Sequence, residues 1–296
     1  MTNAKKWIAL ILTALMLFGT FACAKTTEPA AEATAAPTAD ATAADATTAP
    51  AEATEAPAAD DDFAYIQAKG TLVIGITEYA PMNYYDETGK LVGFDTEFAE
   101  AACAKLGLTP EFIVIDWDSK ELELKGKKID CIWNGLTVTE ERKANMDFTT
   151  SYLKNQQVVV IRTEDAAKYI DTASLSGQVV VAEASSAGAA AIAANLPDAE
   201  FTEVQAQSDA LLEVKTGKAA AAVIDLTMAS AMTGEGSDYS DLTIAPIDML
   251  DEEYAVGFRV GSTATEKFNA VFAELISDGT LAALAEKYEL TNLLIK

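Results

Sequence analysis

The chain holds 296 residues, half of them hydrophobic, with a net charge of −25 and no histidine. That length corresponds to about two domains, with apolar content sufficient to bury a core. The acidity excludes nucleic acid and charge-driven lipid binding, and the missing imidazole excludes histidine zinc sites, Ser-His-Asp triads and Cys-His dyads.

Lys5 and Lys6 precede an apolar run over residues 7–21. A short positive region before an apolar stretch of this length predicts a secretory signal over residues 1–22. The run ends Thr20-Phe21-Ala22-Cys23. This resembles a bacterial lipobox, with Thr20 where Leu is usual, and makes Cys23 the expected lipidation site. Residues 23–62 then cycle through Ala, Thr, Pro, Glu and Asp, with no aromatic group before Phe63. Such a stretch carries too little bulky apolar surface to fold and reads as a disordered tether.

From Phe63 onward the pattern alternates between strand and helix. A strand is expected at 72–76. Asp95 is expected to cap a helix that buries Phe98, Ala102 and Leu106 and stops at Gly107. Residues 112–115 form a second strand, a helix follows at 119–125, then a strand at 129–133, and a helix begins at Thr139. Further strands fall at 158–161, 179–181, 203–204 and 220–224, with helices near 187–194 and 209–216. Two helices between Thr265 and Tyr288 break at Asp278-Gly279. This alternation predicts an α/β fold with mainly parallel sheets, and the length fits two lobes better than one sheet. Cys103 falls on a helix and Cys131 on the strand beneath it, so an exported chain can bridge them or bury both thiols. Neither cysteine has CxxC spacing, so no metal or redox centre is expected.

Ligands of open α/β sheets gather beyond the carboxyl ends of strands. After the strand at 129–133, Thr139 caps a helix and puts Arg142 in its first turn. Backbone N–H groups, hydroxyls and a guanidinium fork there make an anion site, unless Arg142 simply pairs with a nearby surface Glu. Ser185 and Ser186 begin a second such turn. Asp225 ends an apolar strand, placed either to receive a cation or to cap the next helix. Tyr79 and Trp117 stand at strand ends, as aromatic walls for a ligand or as packing between lobes. An anion clamp, a cation acceptor and two aromatic walls converge on an amino-acid zwitterion.

Several stretches, in order, resemble the bacterial polar-amino-acid solute-binding proteins of ABC importers, family 3 of the extracellular solute-binding proteins. They include Gly70-Thr71-Leu72-Val73-Ile74-Gly75, Tyr79-Ala80-Pro81-Met82 and Gly93-Phe94-Asp95-Thr96-Glu97-Phe98. Leu136-Thr137-Val138-Thr139-Glu140-Glu141-Arg142, Met146-Asp147-Phe148-Thr149 and Asp278-Gly279-Thr280-Leu281 follow. The resemblance covers nearly all of the chain from Phe63 and implies a type II periplasmic-binding-protein fold. Lobe 1 is then 63–153 with 254–296, lobe 2 is 154–253, and two hinges lie near 154–156 and 249–253.

By resemblance, Arg142 grips the ligand carboxylate, helped by Thr137, the backbone of Gly135, and Ser186. Asp225 takes the ammonium, and Tyr79 and Trp117 flank the side chain. Thr77, Glu78, Trp133 and Glu183 are the specificity candidates. Two departures stand out: Ala220-Ala221 where the family often has Asp-Ala, and a compressed turn before Tyr79. The resemblance implies a monomer, not an enzyme, with no cofactor and no metal. Its partners are a free amino acid (polar, cationic or cystine-like) and a membrane permease. It is anchored by lipid at Cys23 on the outer side of the bacterial cell membrane. The same fold also serves amino-acid sensors and surface adhesins, and a few dehydratases of cyclohexadienyl acids.

Overall fold

Asp61 is the first residue described by the computed structural model, which covers residues 61–295. The signal peptide, the lipidation at Cys23 and the tether before Asp61 lie outside the described residues. The tether was expected to extend through residue 62, and this is corrected. The Asp61 carboxylate accepts the Ala64 N–H at 3.1 Å and caps α1 (Asp62–Lys69). Asp62 is buried, taking the Arg259 guanidinium at 2.9 Å and the Ser262 hydroxyl at 2.6 Å. An acidic run reads as tether by composition, but its last two members are a cap and a buried ion-pair partner.

In chain order, the first half holds β1 (Thr71–Ile76), β2 (Tyr84–Tyr85), β3 (Leu91–Val92), α2 (Phe94–Leu106) and β4 (Thr109–Val114). Then come α3 (Lys120–Lys125), β5 (Cys131–Ile132), α4 (Glu140–Lys143), β6 (Met146–Phe148) and the long β7 (Leu153–Arg162). The second half continues with β8 (Val179–Glu183), α5 (Ala187–Asn195), β9 (Glu200–Val204), α6 (Gln207–Lys215) and β10 (Ala221–Asp225). It ends with α7 (Leu226–Met232), β11 (Leu242–Ile244), β12 (Asp251–Tyr254), β13 (Gly257–Arg259), α8 (Ala264–Ser277) and α9 (Thr280–Lys287).

Two main sheets result. One has the order β4-β1-β5-β13-β6, parallel through its first three strands. The other has the order β11-β7-β10-β8-β9, with β10, β8 and β9 parallel. β7 runs from the first half into the second sheet. Its first residues, Leu153 to Gln156, pair antiparallel with Tyr254 to Asp251 of β12, and its remainder pairs with β10 and β11. This is the α/β, two-sheet architecture expected from the alternation.

Lobe 1 is knit by aromatic side chains from distant segments. Phe98 of α2 lies 4.5 Å from Phe272 of α8 and 5.0 Å from Trp133, centroid to centroid. One correction falls here. Asp95 does not cap α2; the helix starts at Phe94 with Gly93 before it. Gly93 has φ of 131°, and a Cβ there would sit 2.1 Å from the Met82 carbonyl oxygen, so only glycine fits. Asp95 is instead fully buried, accepting the Gly135 N–H at 2.7 Å and the Tyr152 hydroxyl at 2.9 Å. Cys103 and Cys131 are both buried and free, so the alternative of a bridge gives way to two packed thiols. Burial pushes the Cys103 thiol up to about 12.

Candidate functional site

Strand ends of both sheets face one small enclosed cavity of about 10 Å³, room for roughly one water. Tyr79, Trp117, Gly135, Thr137 and Arg142 line it from lobe 1, Ser186 and Asp225 from lobe 2. Thr77 and Glu183 line it as well. A wider chamber of about 390 Å³ adjoins it and shares Arg142, Ser186 and Ala187. Two specificity candidates are elsewhere. Glu78 points to solvent, because Thr77 and Tyr79 on either side take the inward positions. Trp133 is wholly buried in the aromatic core against Phe98, with no face on the cavity.

The anion end is built by α4. The Thr139 hydroxyl accepts the Arg142 N–H at 3.1 Å and caps the helix. Arg142 is 7% exposed, so it is no surface residue paired to a neighbouring Glu. Its guanidinium donates to carbonyls, that of Thr137 at 2.8 Å and that of Ser185 at 3.3 Å. Ser186 caps α5 by accepting the Ala189 N–H at 3.1 Å, which leaves its own O–H free to donate. Gly135 has φ of 55°, and a Cβ there would meet the Tyr79 ring at 2.6 Å. The Tyr79 hydroxyl bonds to Thr227 and, at 2.7 Å, to Tyr254, so its ring is fixed from three elements.

The cation end is Asp225, at the end of β10 and without a capping bond to α7. Its Oδ1 accepts the Asn155 amide at 2.6 Å and the Gln157 amide at 2.8 Å, and its Oδ2 accepts the Gln207 amide. Asp225 is buried with no cation on it. Among the described residues, one lobe thus offers a buried guanidinium whose hydrogen bonds go to carbonyls, the other a buried carboxylate whose N–H donors are amides. That is the complement of a zwitterion.

The family model for bacterial extracellular solute-binding proteins, family 3, matches residues 72–291. The chain belongs to this family. The arginine-binding extracellular protein ArtP of Bacillus subtilis is 29% identical over 223 residues, 74% of this chain and 86% of ArtP. The L-cystine-binding protein TcyJ of Escherichia coli K12 is 27% identical over 227 residues, 75% of this chain and 84% of TcyJ. Among solved structures, an ABC uptake transporter substrate-binding protein from Streptococcus pneumoniae with bound histidine superposes with a TM-score of 0.73. It is 29% identical, covering 80% of this chain and 99% of that one. The two-lobed architecture is accordingly that of the type II periplasmic binding proteins.

Two charged groups of this solute-binding protein escaped the sequence reading. Lys120 is 3% exposed, and its ammonium donates to the carbonyls of Trp117 and Ser185, both at 3.0 Å. It sits 4.9 Å from the Trp117 ring centre. Burial, then the Arg142 charge, lowers it to about 8. Glu252, on β12, accepts the Thr137 hydroxyl at 2.9 Å and the same Asn155 and Gln157 amides that Asp225 uses. Burial, then the Asp225 charge, raises Glu252 to about 8. Glu183, the specificity candidate on β8, is 3% exposed with a buried, unpartnered Oε1, and burial, then the Asp225 charge, raises it to about 8. The signal for Glu252 was the alternation of β12, which turns Asp251 and Glu253 outward and Glu252 in.

Proposed function

We propose that the protein captures a free amino acid between its lobes outside the cytoplasm and delivers it to the permease of an ABC importer. The observation carrying this reading is the buried Arg142 guanidinium, bonded only to carbonyls, in the same cavity as the amide-held Asp225 carboxylate. Arg142, with Thr137, the Gly135 backbone and Ser186, holds the α-carboxylate, and Asp225 the α-ammonium. Tyr79 and Trp117 flank the side chain, which Thr77 and Glu183 read.

A cavity of about 10 Å³ cannot admit an amino acid, so capture needs the lobes to part about the paired β7 and β12 strands. Closure then excludes water and strengthens both charge pairs. No covalent step is required, and the activity is binding. Lobe 1 comprises 63–153 with 254–296, lobe 2 comprises 154–253, and the monomer is tethered by lipid at Cys23. The relatives' ligands are arginine, cystine and histidine. Together with the free Glu183 acceptor, they favour a polar or cationic side chain, cystine included.

The test is a thermal-shift screen of the purified protein, refolded to remove carried-over ligand. The panel is the twenty amino acids, cystine and cyclohexadienyl acids. One or a few amino acids are expected to raise the melting temperature by mass action. A flat response from folded protein, or turnover of a cyclohexadienyl acid, overturns the reading.

A further inference from the structure

Asp225 and Glu252 arrive from different strands, β10 and β12, yet are joined by the same two donors. The Asn155 amide nitrogen lies 2.6 Å from Asp225 Oδ1 and 2.6 Å from Glu252 Oε1. The Gln157 amide nitrogen lies 2.8 Å and 2.9 Å from the same two oxygens. Each amide has two hydrogens, so each spends one on each carboxyl group. Both amides stand on β7, at alternate positions facing the same way, in the strand that links the lobes. Among the described residues, the donors that the two carboxyl groups share are neutral amides. Two carboxyl groups sharing the same donors favour a cation or a proton between them.

We propose that Glu252 and Asp225 form one two-carboxylate site for the ligand's α-ammonium, and that a single shared proton occupies that site until the ligand arrives. This rests on the amino-acid reading above. Binding is then an exchange: the ammonium enters with its charge, one proton leaves to solvent, and the charge of the site is unchanged. An ammonium brings three donors, enough to replace the proton and reach both carboxylates.

Among the described residues, the charged and titratable groups facing the pair are Arg142 and Tyr79 from lobe 1, Tyr254 on β12, and Glu183 from β8. Burial holds both phenols protonated well above neutrality, so neither supplies the proton. Arg142 stays charged. Among the described carboxyl groups, Glu183 is the competing source, and a variant separates it. Burial, the Asp225 charge and a carboxyl–carboxyl hydrogen bond place the Glu252 titration at about 8, so the proton is present at pH 6–7.5.

The experiment is calorimetric titration of each of the twenty free L-amino acids and of L-cystine into the purified protein at pH 6.5, in buffers of different ionisation enthalpy. For those that bind, release of close to one proton per ligand is expected. The affinity should rise about tenfold per pH unit between pH 6 and 7.5, the slope for one exchanged proton. In Glu183→Gln, whatever its affinity, each bound ligand is expected to release that proton still, while Glu252→Gln abolishes the release and flattens the slope. Heats that do not depend on the buffer overturn the proposal while leaving amino-acid capture standing. No heat with any of the twenty or with cystine overturns both. The wild-type proton count decides the matter even if Glu252→Gln fails to fold.

Discussion

The Lys120 ammonium and the Ser185 carbonyl meet at 3.0 Å across the cleft, one from lobe 1 and the other from lobe 2. Arg142 reaches the same carbonyl at 3.3 Å. Ser185 has φ of 55°, a left-handed conformation unusual for a side chain with a Cβ. The turn before α5 thus places one acceptor between two buried cations. Lys120→Met is expected to weaken closure. A lost charged hydrogen bond of about 1.5–3 kcal/mol corresponds to roughly a 10- to 100-fold loss of ligand affinity. Calorimetry, with small-angle scattering to follow the opening, checks this; unchanged affinity refutes it.

Arg142→Ala and Asp225→Ala each leave one end of a zwitterion unmatched in a closed, desolvated cleft. Each is expected to cost about 2–5 kcal/mol of binding. Binding isotherms of the folded variants are the check, and near-wild-type affinity in either removes that residue from the site.

Glu183 makes stability depend on pH in a direction that can be worked out. Its carboxyl titrates at about 8 in the folded protein against 4.5 ordinarily, so the folded state holds more protons between those values. Stability from this group therefore falls as pH rises from 4.5 to 8. Asp95, raised to about 6 by burial, acts in the same sense over a narrower window. Glu183→Gln should melt higher than the parent at pH 8 and close to it at pH 4.5. A ligand-free melting series across that range tests the sign, and a parent that gains stability toward pH 8 contradicts it.

What the sequence made legible was local: a capping Thr139, a capping Ser186, an Arg in the first helical turn, a carboxylate ending an apolar strand. These follow from short-range geometry that neighbours in the chain determine. Glu252 and Lys120 were not legible, because Asp251-Glu252-Glu253 and the charged α3 both read as surface until the lobes close over them. Trp133 and Glu78 were misplaced for a related reason. At a strand's last residues, alternation decides which side chain faces the cleft, and its phase is fixed only by tertiary packing.

Gly135→Ala tests the coupling of backbone to aromatic wall. The position has φ of 55°, and the added methyl would stand 2.6 Å from the Tyr79 ring and 3.1 Å from that of Tyr254. Strain of this kind costs on the order of 1–3 kcal/mol. Chemical denaturation should show that loss, together with weaker ligand binding because Tyr79 must shift. A variant equal to the parent in both measurements rejects the close contact.

The buried thiols give a chemical test of the core. Native protein is expected to leave Cys103 and Cys131 unmodified by a thiol reagent, since burial disfavours the thiolate of each. In denaturant without reductant, peptide mass spectrometry should find both alkylated. A linked peptide containing the two would show a bridge instead.

The insertion of β13 between β5 and β6 sets an order of assembly. The strands β7 to β11 of the second sheet are consecutive in the chain, so they can pair once residue 244 has emerged, with β12 joining β7 soon after. The first sheet waits for residues 257–259, and its aromatic core for Phe268 and Phe272. Until then Phe98 and Trp133 lack their partner Phe272, so an emerging chain can complete its middle before its beginning. A ribosome stalled before β13 leaves a half-built product with an open apolar face, the kind of surface that chaperones and proteases recognise.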